Sequence, residues 1–139
     1  MKQIRLNKKW VVKKLPKRPK DANKGTFGKV LVFAGSENFP GAAYLCCAAA
    51  YRVGAGLVSL VTQSTVKIIV SRQLPEVTFL SIDEVFSRIN QYDVLLIGPG
   101  LGQSSQVIEF IQTKTVIDGD GLNILSKQGK WWEKINTDV

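Results

Sequence analysis

Short apolar runs separated by glycine-bearing turns set the rhythm of this chain. Val30–Ala34 is a continuous apolar run, the mark of a strand buried on both faces. Leu57–Thr62, Asp93–Ile97 and Thr115–Asp118 read as further strands, and Glu76–Ser81 alternates like a more exposed one. Between them lie helix candidates at Gly41–Val53, Thr65–Arg72, Ile82–Asn90, Ser104–Gln112 and Gly121–Lys127. Their boundaries have local causes. Gly54-Ala55-Gly56 is a glycine stop, Leu74-Pro75 ends the second helix, and Ser81 or Asp83, then Ser104 or Ser105, stand where caps belong. Trp131–Lys134 predicts a helical turn or loop packed by its indoles. Strand, helix, strand in repetition predicts an α/β fold: a mostly parallel sheet, helices on both faces and right-handed crossovers.

Three turns follow predicted strands directly: Gly35–Ala42, Gly98-Pro99-Gly100-Leu101-Gly102, and Asp118-Gly119-Asp120-Gly121. Loops at the carboxyl ends of parallel strands share one edge, where ligands bind in open α/β sheets. Glycine admits close approach of backbone N–H groups, and a following helix adds its positive end, so the pattern points to nucleotide-like ligands. Each turn has a plainer reading. Gly35 to Ala42 is also what a close-packed strand-to-helix turn needs, and Asp120 also suits a helix N-terminus. Lys24-Gly25-Thr26-Phe27-Gly28-Lys29 is not a Walker A loop, because Val30 stands where Ser or Thr would meet magnesium. The Gly98 loop approaches a dinucleotide fingerprint but places Gln103 where its last glycine belongs. Asp118, about 20 residues on, would be the ribose-binding acid, so a Rossmann oxidoreductase is a lesser alternative.

The chain has 139 residues, is 45% apolar and 22% charged, and contains no histidine. One domain is expected. Without histidine, imidazole-based metal sites and Ser-His-Asp catalysis are excluded within it. The net charge of +8 is uneven: residues 1–30 carry eleven Lys and Arg against the single acid Asp21, and the remainder is close to neutral. That predicts a solvated basic arm at 1–23, broken by Pro16 and Pro19, with Lys9–Leu15 a short helix or strand. No nucleic-acid or membrane partner is expected. Cys46 and Cys47 are adjacent on a predicted helix and suit neither a disulfide nor a chelate.

Read in order, Lys24–Ser36, Phe39-Pro40-Gly41-Ala42-Ala43, Arg52–Val58, Leu74-Pro75-Glu76, Gly98–Gly102 and Asp118–Asn123 resemble the signature of the NAD(P)H-hydrate dehydratase family, over about residues 24 to 126. The resemblance implies a ribokinase-like fold. It implies ADP- or ATP-dependent dehydration of (S)-NADHX or NADPHX to NADH or NADPH, with Mg2+ expected, in the cytoplasm. Ala42 and Gly100 match positions that contact the hydrated substrate, with Gly41, Gly98 and Leu101 beside them. Asp118, Asp120, Lys24 and Gly25 match motif positions and are assigned supporting roles. Family members also carry a Thr-Pro-His-Pro-Gly-Glu segment and a Gly-Thr-Gly-Asp loop with the catalytic base, and neither occurs here. The expectation is therefore that residues 24–139 form the N-terminal half of such a domain. No catalytic residue lies in this chain, activity alone is little or none, and it forms a homo-oligomer. A non-catalytic half-domain binding a partner chain is the alternative.

Overall fold

Five strands, β1 (Lys29–Phe33), β2 (Leu57–Val61), β3 (Thr78–Phe79), β4 (Val94–Ile97) and β5 (Thr115–Ile117), run parallel in the order β3-β2-β1-β4-β5. The structure is a computed structural model and describes residues 5–15, 19–102, 109, 111 and 114–131. Apart from Glu109 and Ile111, the predicted helix at Ser104–Gln112, and most of Trp131–Lys134, lie outside the described residues.

The apolar runs behave as central parallel strands should. Along β1, Leu31 and Phe33 enter one core, while Val32 and Ala34 enter the other. Two helices, α2 (Pro40–Val53) and α3 (Ser64–Gln73), cover the second face through Ala43, Cys47, Val66 and Val70. On the first face lie α4 (Ile82–Arg88) and α5 (Asp120–Ser126), contributing Val85, Ile124 and Leu125, with Ile89 from the 3-10 turn at Ile89–Gln91. Small side chains let α2 lie close to the sheet. It starts at Pro40, whose fixed φ suits a first helical position. It ends in the glycine stop: Gly54 has φ 108° and the Ala55 amide reaches back to the Ala50 carbonyl.

One difference from the sequence pattern has a local cause. The alternating run Glu76–Ser81 yields only a two-residue strand, because Glu76 lies in the turn after Pro75 and Ser81 caps α4. In that cap the Ser81 hydroxyl accepts from the Glu84 amide and the Glu84 carboxylate accepts from the Ser81 amide. The basic arm contains α1 (Lys8–Lys14), capped by Asn7, with no buried residue.

The strand order reverses between β1 and β4. Chain leaves β1 toward β2 and β3, then returns across β1 to β4. Such a switch point opens a crevice at the carboxyl ends of the two strands. The same topology leaves a gap elsewhere. Crossover helices between strands stepping toward β3 lie on one face, and those stepping toward β5 on the other. Beside α2, the face of β4 and β5 is accordingly uncovered among the described residues: a groove of about 730 Å3 is lined by Leu45, Ala49, Val53, Val94, Leu96 and Val116. Val53 is 85% exposed and Val116 is 56% exposed.

Candidate functional site

The three glycine turns meet at the switch point, through hydrogen bonds that continue the sheet beyond its strands. The Gly98 amide donates to the Phe33 carbonyl at 3.0 Å, and the Gly35 amide donates to the Pro99 carbonyl at 2.9 Å. The Asp118 amide donates to Ile97 at 3.0 Å, which brings the third turn alongside.

Each turn has the residues its geometry requires. In Gly98–Leu101, the Leu101 amide closes onto the Gly98 carbonyl at 3.1 Å, with Pro99 and then Gly100 at φ 64° in the middle. That is a type II turn, in which Pro is favoured first and glycine second. In Asp118–Gly121, Gly119 has φ 50° and ψ −120°, and the Gly121 amide closes onto the Asp118 carbonyl at 3.0 Å. That is the mirror-image type II′ turn, which takes glycine first. The turns are in backbone contact. A Cβ on Gly98 would collide with the Asp118 carbonyl oxygen, and one on Gly100 would lie 2.8 Å from the Cβ atoms of both Ala42 and Phe39.

This places Gly41, Ala42, Gly98, Gly100 and Leu101 at one spot, where the start of α2 faces the β4 turn. Their roles differ. Leu101 spends its amide on the turn and packs its side chain against the core. Ala42 donates to the Phe39 carbonyl at 3.2 Å and offers its methyl group. The amides of Gly41 and Gly100 have no hydrogen-bond partner among the described residues. Two free donors beside a 14-residue helix N-terminus are suited to oxygen-rich or anionic ligand groups. Phe39, 58% exposed, forms the rim beside Gly100.

The two aspartates part company. Strand alternation would aim residues 118 and 120 the same way, but the positive-φ Gly119 lies between them. Asp118 lines the groove beside α2, near Cys46. Asp120 accepts from the Gly102 amide at 2.9 Å through Oδ2 and from Asn123 Nδ2 at 3.4 Å through Oδ1. The pair is therefore not a chelate, and no group of three or more His, Cys, Asp or Glu able to hold a metal ion occurs among the described residues.

Lys24 and Gly25 are elsewhere. They belong to a 3-10 turn at Lys24–Phe27 before β1, capped by Asn23, and the Lys24 carbonyl presses on Gly56 at the start of β2. Strands run some 3.3 Å per residue, so the length of β1 puts them roughly 15 Å from the glycine turns. Burial pushes the Cys47 thiol up to about 12, with Cys46 adding, and raises Cys46 with help from Asp118. Both are held as neutral thiols rather than nucleophiles. Two supports escaped the sequence reading. Gln63, at the end of β2, accepts the Glu37 amide through Oε1 at 3.0 Å and anchors the β1–α2 loop. The Gly102–Asp120 bond spans 18 residues, and only a folded chain displays it.

A family model described as NAD(P)H-hydrate dehydratase matches residues 30–137. The chain is 34% identical over 125 residues to the ADP-dependent (S)-NAD(P)H-hydrate dehydratase of Listeria monocytogenes, covering 81% of this chain and 45% of the relative. It is 39% identical over 129 residues to the bifunctional NAD(P)H-hydrate repair enzyme Nnr of Coxiella burnetii, covering 86% of this chain and 26% of that one. Among solved structures, a ribokinase-like superfamily protein from Enterococcus faecalis superposes with TM-score 0.77 at 28% identity, over 88% of this chain and 47% of that one. The ADP/ATP-dependent NAD(P)H-hydrate dehydratase of Bacillus subtilis, co-crystallised with ATP/Mg2+, gives TM-score 0.70 at 29% identity, over 84% and 46%. The chain thus spans half or less of the length of these relatives.

Proposed function

This chain belongs to the NAD(P)H-hydrate dehydratase family, and from that premise we propose that its switch-point crevice binds (S)-NADHX or NADPHX for nucleotide-dependent dehydration to NADH or NADPH. The observation that carries this is the junction of the α2 start with the Gly98–Leu101 turn, where the Gly41 and Gly100 amides have no partner among the described residues.

The chemistry is reasonable on general grounds. Hydration of the nicotinamide ring leaves a hydroxyl, a poor leaving group. Phosphoryl transfer to it from ATP gives ADP and a phosphate ester, and loss of phosphate with a ring proton restores the conjugated dihydronicotinamide. Catalysis of this kind rests on positioning and charge stabilisation. The residues here supply the positioning side: amide donors and the Ala42 methyl for the hydrated ring and its amide or phosphate oxygens. Asp120 is occupied by protein donors and no imidazole exists in the chain, so the described residues hold substrate rather than move its proton. Magnesium accompanying the nucleotide would be held mostly by phosphates and water. The described acids do not form a site for it, and no step is assigned to it.

Titration of the labelled 139-residue chain with (S)-NADHX, followed by coupled assays with ATP and with ADP, tests this reading. Saturable binding with shifts at Gly41, Ala42, Gly98 and Gly100, and little or no turnover by this chain alone, is the expected result. No saturable binding, or binding that leaves those four amides still, would overturn it, and brisk turnover would overturn the expectation that the chain alone is nearly inactive. The apolar groove on β4 and β5, uncovered among the described residues, favours a second reading, in which the same chain works as part of a homo-oligomer or beside a partner chain.

A further inference from the structure

We propose that Asp120 is a positioning residue: its carboxylate fixes the turn that presents the Gly100 amide, by gripping the amide of Gly102. The inference rests on the substrate reading of the crevice for its functional consequence, though not for its geometry.

The Gly98–Gly102 segment has three glycines at positive φ, 129°, 64° and 72°. Glycine samples many conformations at little cost, so such a segment holds one shape only when tied at both ends. Its near end is tied by the sheet, through Gly98 to Phe33 and Pro99 to Gly35. Its far end is tied by a side chain, the 2.9 Å bond from the Gly102 amide to Asp120 Oδ2. An ionised acceptor makes that bond stronger than a neutral one. Asp120 is itself well placed to hold. It is the third residue of the type II′ turn and the first of α5, and Ile124 and Leu125 of α5 are buried in the core. Its second oxygen receives Asn123 Nδ2. Both oxygens therefore face donors of the chain, so the residue acts through the loop and not on a ligand. The β4 turn is in this way registered on β5 and α5, and Gly100 is kept against Phe39 and Ala42.

Amide exchange and ligand titration on the labelled chain test the role. In the wild type, Gly102 should exchange slowly and Gly100 fast. Asp120→Ala should speed Gly102 exchange about tenfold, the equivalent of one hydrogen bond, shift Gly100, and weaken (S)-NADHX binding by a similar factor. Asp120→Asn keeps a carbonyl acceptor and should restore both to within about threefold of wild type. Asn123→Ala should leave Gly102 protected. Should Asp120→Ala not fold, the wild-type exchange pattern and Asp120→Asn still decide. Fast Gly102 exchange in the wild type sinks the proposal. So does an Asp120→Asn chain that keeps Gly102 protected yet loses the ligand, since the carboxylate would then act on the ligand itself. A wild type with slow Gly102 that binds no (S)-NADHX removes the substrate reading and leaves the positioning role to be judged on exchange alone.

Discussion

Two glycines four or fewer ångströms from other turns carry different loads. Gly98 is pressed against the Asp118 carbonyl, backbone on backbone, with φ 129°. Gly98→Ala therefore strains the contact that joins the β4 and β5 turns, and urea denaturation should report a loss of about 2–4 kcal/mol. Gly100 is pressed against the side chains of Ala42 and Phe39, and Phe39 is largely exposed and can move. Gly100→Ala should cost less stability, about 1–2 kcal/mol from its positive φ, while a methyl group planted beside the free amide should reduce (S)-NADHX affinity at least about tenfold. Cys47 is favoured neutral in the fold, up to about 12, against an ordinary thiol value near 9 when unfolded. Its contribution is full below about pH 9 and drains as pH climbs toward 12. Denaturation midpoints between pH 8 and 11 should fall further for the wild type than for Cys47→Ala. At this scale the sequence was informative about residue types and silent about bonds. The glycines were legible because their turns demand them, whereas the Asp120 and Gln63 hydrogen bonds join residues 18 and 26 apart and leave no local trace.

Among the elements, the ones that read most clearly are those whose ends carry chemistry. The α2 boundaries follow from Pro40 and Gly54, and the core strands follow from unbroken apolar runs. The β3 strand was legible only as an alternation, because an edge strand paired on one side gives its outer residues to turns and caps. In α4, hydrogen bonds from the Ser81 amide and hydroxyl hold the exposed Glu84 carboxyl below its usual range, with Arg88 a lesser influence. A lowered carboxyl adds stability above its unfolded value and loses it as pH falls through the folded one, so the α4 cap should weaken below about pH 4. Protection factors along Glu84–Arg88, with the intrinsic pH dependence of exchange divided out, should fall in that window for the wild type and stay flat for Glu84→Gln.

For the whole molecule, the order β3-β2-β1-β4-β5 explains both the crevice and the bare flank. One reversal of direction sets a crevice at the carboxyl ends of β1 and β4, and the same handed crossovers leave the face of β4 and β5 beside α2 without a covering element among the described residues. The glycine edge was readable in the sequence because it is written in three turns. The bare face was not, since Val94, Leu96 and Val116 look like any strand residues until the helices are placed. An apolar flank of this kind favours association. Sedimentation velocity should find self-associated chain that Val53→Lys with Val116→Lys shifts toward monomer, and a wild type that stays monomeric at high concentration would count against this. Ligand contact at the switch point is the property to measure. Titrating (S)-NADHX into labelled wild type and Gly100→Ala should give saturable shifts at Gly41, Ala42, Gly98 and Gly100 in the first and at least about tenfold weaker binding in the second. Equal affinity for the two chains, or shifts confined to residues away from these turns, would contradict it.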